Sequence, residues 1–101
     1  MMPETTATPQ SCRELFISLG AGANKALTAD QQSDCAHIGK IMTAHPLLGL
    51  AIQHIILASY QRATWTDLDG AIDWQSVIAW FVANAPTILQ TVLSILAMFA
   101  A

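Results

Sequence analysis

Residues 74–101, WQSVIAWFVANAPTILQTVLSILAMFAA, contain no charged side chain. About 20 apolar residues in helical form span the hydrocarbon of a bilayer, so the length of this stretch permits a membrane crossing. Asp73 is a good N-cap for a helix that starts at Trp74. Pro86 should kink that helix or divide it near Asn84, because proline lacks the backbone N–H that a helix interior needs. The sequence therefore predicts a hydrophobic C-terminal helix over 74–101, kinked or split at Pro86.

Small residues recur along this segment in steps of three or four. The steps average about 3.6 residues, which is the period of an α-helix. Small residues on one side of a helix let two backbones approach closely, and their hydroxyls can hydrogen-bond across the contact. The sequence thus predicts a helix-packing interface, called here the small stripe, made of Ser76, Ala79, Ala83, Thr87, Thr91, Ser94, Ala97 and Ala101.

The side opposite the small stripe carries large apolar side chains, and we expect it to form an outer face of the helix. The segment offers no Lys or Glu to water, so we expect lipid or protein to cover it on all sides. Two alternatives for the small stripe stay open: chance spacing of an abundant residue type, and a mildly polar pore lining. The large side chains are Val77, Ile78, Phe81, Leu89, Val92, Leu93, Leu96 and Phe99.

A second uncharged run covers residues 41–61 and ends before Arg62. His45 and Pro46 offer a helix start within it, since proline fits the first turn of a helix. Apolar residues then occupy almost every face, which predicts a hydrophobic helix over 41–61. Residues 62–73 are polar and turn-rich and predict an acidic loop, so the two hydrophobic helices would form a helical hairpin.

Three aromatic residues, Tyr60, Trp65 and Trp74, cluster around that loop. Tyr and Trp favour the headgroup layer of a bilayer, so we predict that these three are membrane-interface aromatics. The alternative is that they cap the core of a soluble helical bundle.

The first 40 residues predict an irregular leader over 1–10 and an amphipathic helical region over 11–40. The leader lacks the basic and apolar regions of a cleaved signal peptide, so none is expected. Ser11 and Glu14 have the spacing of a capping box and predict a helix start at Ser11. Its apolar stripe is Leu15, Phe16 and Leu19.

Residues 20–23, GAGA, weaken this helix, because glycine lowers helix stability. They predict either a frayed or kinked helix, continuing to Ala26 and Leu27, or a close helix contact through Ser18, Gly22 and Ala26. A turn and cap at residues 29–30 would start a second helix. Its apolar face is predicted to hold Cys35, Ile38, Ile41 and Met42.

The helical patterns together predict an all-α protein, and the composition predicts that it associates with a membrane or with partner chains. Hydrophobic residues make up 53% of the 101 residues and charged residues 11%, with a formal net charge of −3. Such a chain is too apolar to be disordered, and its few Lys and Arg residues are too scattered for a nucleic-acid partner. A domain of this size buries only about 60–65% of its unfolded surface, so the apolar surplus indicates a membrane or partner chains.

No catalytic or metal-binding signature is present, so we expect a protein that is not an enzyme and has no cofactor or metal. Cys35 and His37 lack the further ligands that a structural zinc site needs. Asp67, Asp69 and Gly70 resemble part of a calcium loop, but the residues at its first and last ligand positions are unsuitable.

The remaining reactive side chains have simpler interpretations. Cys12 and Cys35 are predicted to be buried free thiols, too far apart for a disulfide. His45 and His54 lie at and within the apolar run. They are either neutral histidines bonded to a carbonyl or functional ionisable groups at membrane depth.

Three functional hypotheses stay open. The first is a small non-enzymatic structural or assembly protein, embedded in a membrane or buried in a larger complex, such as a virion or membrane assembly, through its C-terminal helix. The second is a holin-like, pore-forming membrane hairpin, against which the missing charged tail counts. The third is a soluble oligomeric bundle that binds an apolar ligand or a partner helix between its helices. We expect a homo-oligomer or larger protein assembly, a lipid membrane as partner, and a location in a membrane or a membrane-associated assembly.

Overall fold

The part of the chain that the structure describes contains five α-helices and no strand. The structure is a computed structural model and describes residues 11–65 and 72–100. The all-α fold class predicted from the sequence is confirmed. The helices are α1 (Cys12–Gly20), α2 (Ala29–Ala44), α3 (Pro46–Thr64), α4 (Trp74–Ala83) and α5 (Ala85–Ala100).

Helix α1 begins where the sequence predicts and ends earlier. The Ser11 hydroxyl accepts a hydrogen bond from the backbone N–H of Glu14 at 3.2 Å, which confirms Ser11 as the N-cap. The helix stops at Gly20 instead of fraying or kinking through residues 20–23. Gly22 has a φ of +92°, a turn conformation that glycine adopts without strain. The predicted stripe is buried: Leu15, Phe16 and Leu19.

Two glycines let α1 and α2 pack closely as an antiparallel pair. A Cβ atom on Gly20 would come within 2.6 Å of the backbone of Ala36. A Cβ atom on Gly39 would lie 3.0 Å from the Ile17 side chain. A close helix contact therefore exists, but it involves Gly20 and Gly39 and not the predicted set of Ser18, Gly22 and Ala26.

The N-cap of helix α2 lies just before residues 29–30, where the turn and cap were predicted. Thr28 is the N-cap, and its hydroxyl accepts from the N–H of Gln31 while the Gln31 side chain accepts from the N–H of Thr28. This reciprocal pair is a capping box. The predicted apolar face is confirmed, because Cys35, Ile38 and Met42 are buried and Ile41 is half-buried.

The uncharged run 41–61 is divided between two helices. Pro46 disfavours helical backbone at the preceding residue, and His45 has a φ of −130° and a ψ of 79°. Residues 41–44 therefore end α2, while α3 starts at Pro46 and continues beyond Gln61 to Thr64. Only a narrow side of α3 is buried, made of Gly49, Ile52, Ile56 and Tyr60.

The uncharged C-terminal segment is divided at Asn84, where α4 and α5 meet at a bend of 93°. Asp73 is the N-cap of α4, as predicted, and accepts from the N–H groups of Gln75 and Ser76. Pro86 lies in the first turn of α5, where its missing N–H costs little.

Helix α2 lies at the centre and contacts α1, α3 and α5. The Phe16 and Phe81 rings, from α1 and α4, meet edge to face with their centroids 5.3 Å apart. The predicted hairpin of two long helices is not confirmed, because each predicted helix is interrupted and both pack on α1 and α2.

Candidate interaction surface

The small stripe lies on the outside of the chain. Its residues in α4 and α5 are exposed, and Ala101 lies outside the described residues. The stripe is therefore not buried between helices of the same chain, and the prediction that it packs against a helix now concerns a second chain. The exposed members are Ser76, Ala79, Ala83, Thr87, Thr91, Ser94 and Ala97.

The large side chains that were predicted to form an outer face of α4 and α5 instead pack into the core of the same chain. The exception is Phe99, which is 68% exposed near the end of α5. Between Thr87 and Ala97, the exposed positions of α5 are Thr, Gln, Ser and Ala, so this part of the helix is amphipathic without a charge, while Met98 beyond it is 77% exposed. The buried members of the predicted outer face are Val77, Phe81, Leu89, Val92 and Leu96.

Two hydroxyl groups of the small stripe, on Thr91 and Ser76, donate hydrogen bonds within their own helix or to its cap. The Thr91 hydroxyl donates to the carbonyl of Thr87 at 3.0 Å. The Ser76 hydroxyl donates to the Asp73 carboxylate at 2.7 Å, and this bond holds the pKa of that carboxyl below its ordinary value. Locally satisfied hydroxyls can enter an apolar interface at a smaller desolvation cost than unpaired ones.

The outer face of α3 is also apolar. Leu47 is 83% exposed and Leu50 56% exposed, although both are leucines on a folded helix. Arg62 is the one charged side chain in the sequence of α3. We define the outer face of α3 as its exposed residues between positions 47 and 58, which are Leu47, Leu50, Ala51, His54, Ile55 and Ala58.

A groove of about 240 Å³ between α3 and the α4–α5 bend joins these two surfaces. Ile55 belongs both to the groove and to the outer face of α3, while Thr87 and Thr91 belong both to the groove and to the small stripe. We call the outer face of α3, this groove and the small stripe together the association surface. The groove is lined by Ile55, Ile56, Ser59, Ala63, Trp80, Asn84, Thr87, Ile88, Thr91 and Val92, none of them charged.

A second apolar groove, of about 520 Å³, lies where the α2–α3 junction meets the end of α5. His45 is its one titratable lining residue, and Leu47 extends it to the outer face of α3. Neither groove is predicted by the sequence. Each is made by residues far apart in the chain. The lining is Ile41, Ala44, His45, Pro46, Leu47, Leu48, Leu96 and Phe99.

The structure separates the three predicted interface aromatics. Tyr60 and Trp74 are buried, and the Tyr60 ring packs edge to face on Trp80 with centroids 5.5 Å apart. Trp65 ends α3 with a φ of 56° and is 93% exposed. Two of the three therefore belong to the helical core, and Trp65 alone of this set is free to meet a membrane or a partner.

The titratable groups form no reactive constellation in residues 11–65 and 72–100. Cys12 and Cys35 are buried free thiols, as predicted, and burial raises the pKa of each to about 12. A raised pKa keeps a thiol protonated and unreactive. His45 and His54 are both exposed.

No three His, Cys, Asp or Glu side chains lie together as a possible metal site in the described part of the chain. The calcium-loop residues Asp67, Asp69 and Gly70 lie outside it. Among the described residues, no single helix combines the length and hydropathy needed to cross a bilayer, while α4 and α5 meet the criterion as a bent pair.

In comparison with known proteins, the chain matches no protein-family model, no curated protein and no solved structure.

Proposed function

We propose that this chain is a small non-enzymatic structural protein that assembles with copies of itself through the association surface. The observation that supports this most directly is the uneven distribution of charge. Helices α1 and α2 carry exposed charged residues such as Arg13, Glu14, Asp30 and Lys40. In the sequences of α3, α4 and α5, Arg62 is the single charged residue. A charged side faces water, and an uncharged, partly apolar side remains for a partner.

The exposed leucines provide the driving force for association. Burying a leucine side chain completely is worth about 1.5–3 kcal/mol. Covering Leu47 and Leu50 in each of two copies would therefore contribute several kcal/mol, before the cost of bringing the copies together. The small stripe, which the smaller groove joins to the outer face of α3, allows the partner backbone to approach closely.

A protein partner explains the surface better than lipid around a rigid bundle does. Tyr60 and Trp74, which would anchor a bilayer interface, are buried in the core. The exposed side of α5 also contains Gln90 and several hydroxyls, which suit a helix contact better than the hydrocarbon of a bilayer.

Sedimentation velocity in detergent-free buffer over a range of concentrations tests this function. We expect the natural chain to self-associate and Leu50→Glu to shift the equilibrium strongly towards monomer, because the new carboxylate would be buried in the interface. Ser33→Glu is the matched control, since it adds the same charge at an exposed position of α2. A natural chain that stays monomeric at every concentration, or equal effects of the two variants, would show that the proposal is wrong.

A further inference from the structure

The bend between α4 and α5 depends on the backbone of one residue. Asn84 has a φ of −118° and a ψ of 19°, which differ from helical values by roughly 55° and 60°. The backbone hydrogen bonds of Asn84 to α4 and to α5 already join residues four apart, as in an α-helix. The N–H of Asn84 donates to the carbonyl of Trp80 at 3.1 Å, and its own carbonyl accepts from Ile88 at 3.0 Å. Rotation at a single exposed residue would therefore align the two helices.

The aligned helix would have the dimensions and charge of a membrane-spanning segment. From Trp74 to Phe99 it would be about 39 Å long, compared with about 30 Å of bilayer hydrocarbon. Its sequence contains no Asp, Glu, Lys, Arg or His, and Asp73 precedes it. The two helices together also meet the length and hydropathy criterion for a membrane span, whereas each helix alone is too short.

We propose that Asn84 is a hinge and that α4 and α5 join into one continuous helix when the protein meets a phospholipid bilayer. This goes beyond self-association in water, because it names lipid as a second partner and a change of shape as the response. In the joined helix, large side chains such as Phe81 and Leu89 leave the core and face lipid. Ala83 and Thr87, four residues apart, then lie on one face that is available for another helix.

Pro86 opposes this transition and offers a way to control it. In the continuous helix the carbonyl of Val82 would have no N–H partner at Pro86. Membrane helices tolerate this defect with a local kink. Pro86→Ala restores the missing donor, so it should favour the joined helix. Pro46→Ala is the matched control, because Pro46 occupies the first turn of α3, where no donor is needed.

Spin labels on Ser76→Cys and Ala97→Cys measure the angle directly, in a chain whose Cys12 and Cys35 are replaced by alanine. Both label sites are exposed. With a bend of 93°, the two Cα atoms are about 22 Å apart, and in a straight helix they are about 32 Å apart. Labels on Leu47→Cys and Arg62→Cys are the control, since they lie about 22 Å apart within the uninterrupted α3.

The distances are measured by pulsed electron resonance in buffer and with phosphatidylcholine vesicles, whose neutral surface does not repel an acidic protein. We expect the first pair to lengthen by about 10 Å on vesicles, the control pair to stay constant, and Pro86→Ala to enlarge the long-distance population. The proposal is overturned if the chain does not sediment with vesicles, if bound chains keep the short distance, or if the control pair changes equally. Sedimentation without lipid tests self-association separately.

Discussion

Replacing Leu89 by alanine tests whether the side of α5 that carries Leu89 faces the core, as in the structure, or faces outward, as the sequence predicts. Leu89 is 3% exposed, so truncation removes most of a packed side chain and leaves a cavity. Such changes cost about 2–5 kcal/mol of unfolding free energy. For a chain of this size each kcal/mol lowers Tm by about 4–8 °C, so the expected fall is at least about 8 °C and more for a rigid cavity.

Thr87→Leu is the comparison variant, because Thr87 is exposed on the same helix. We expect its unfolding free energy to stay within about 0.5 kcal/mol of the natural chain, since a surface substitution leaves the core intact. It should instead weaken self-association, because an enlarged side chain in a close helix contact separates the backbones. Thermal unfolding followed by circular dichroism measures the first property, and sedimentation velocity measures the second.

A Tm for Leu89→Ala equal to that of the natural chain would refute the reasoning. It would mean that this side of α5 is not part of the core and that the helix is turned the other way. Thr87→Leu would then be the destabilised variant. A result in which both variants lose stability equally would also contradict the division between core side and association side.

Three further predictions concern the association surface, the helix contact and the thiols. Ala83→Leu should weaken self-association as Thr87→Leu does. Sedimentation velocity measures this, and a variant that associates as strongly as the natural chain would contradict the role of the small stripe. Gly20→Ala should destabilise the fold by about 1–3 kcal/mol, because its Cβ would meet the α2 backbone. Gly39→Ala should cost less, because its Cβ would come no closer than 3.0 Å to Ile17, and urea unfolding compares the two variants. The thiol pKa of about 12 in Cys12 and Cys35 exceeds the ordinary 9.0, so the folded state retains protons that the unfolded state loses. The free energy of unfolding should therefore be independent of these thiols below pH 9 and should fall between about pH 9 and 12. The fall should be less steep in a variant in which both cysteines are alanine. Urea unfolding at each pH measures the difference.

Much of the fold could be predicted because its signals are local. Ser11, Pro46 and Asp73 each act within one helical turn, through a cap or a missing donor, and each marks a helix start in the structure. The apolar faces of α1 and α2 were predictable for a related reason. Charged and polar residues occupy their other positions, so the sequence itself shows which side meets water.

The candidate surface was predicted only in part. The small stripe was found by its period, but the outer face of α3 was hidden because apolar residues occur on nearly every side of that helix. The grooves join Ile55 to Thr87, and Leu47 to Phe99, across long separations in the chain. No local pattern indicates which of those residues become neighbours.

The amino-acid order alone establishes the helical class, most helix starts and a division near Asn84. The side of α5 that faces inward is established only by packing in three dimensions. Both sides of that helix lack charge, so electrostatics does not mark the one that meets water. Side-chain volume makes the choice, because the space beside α2 is filled by leucine and valine and would be left partly empty by alanine and serine. The 93° bend has the same origin, since α4 packs against Phe16 while α5 packs on α2.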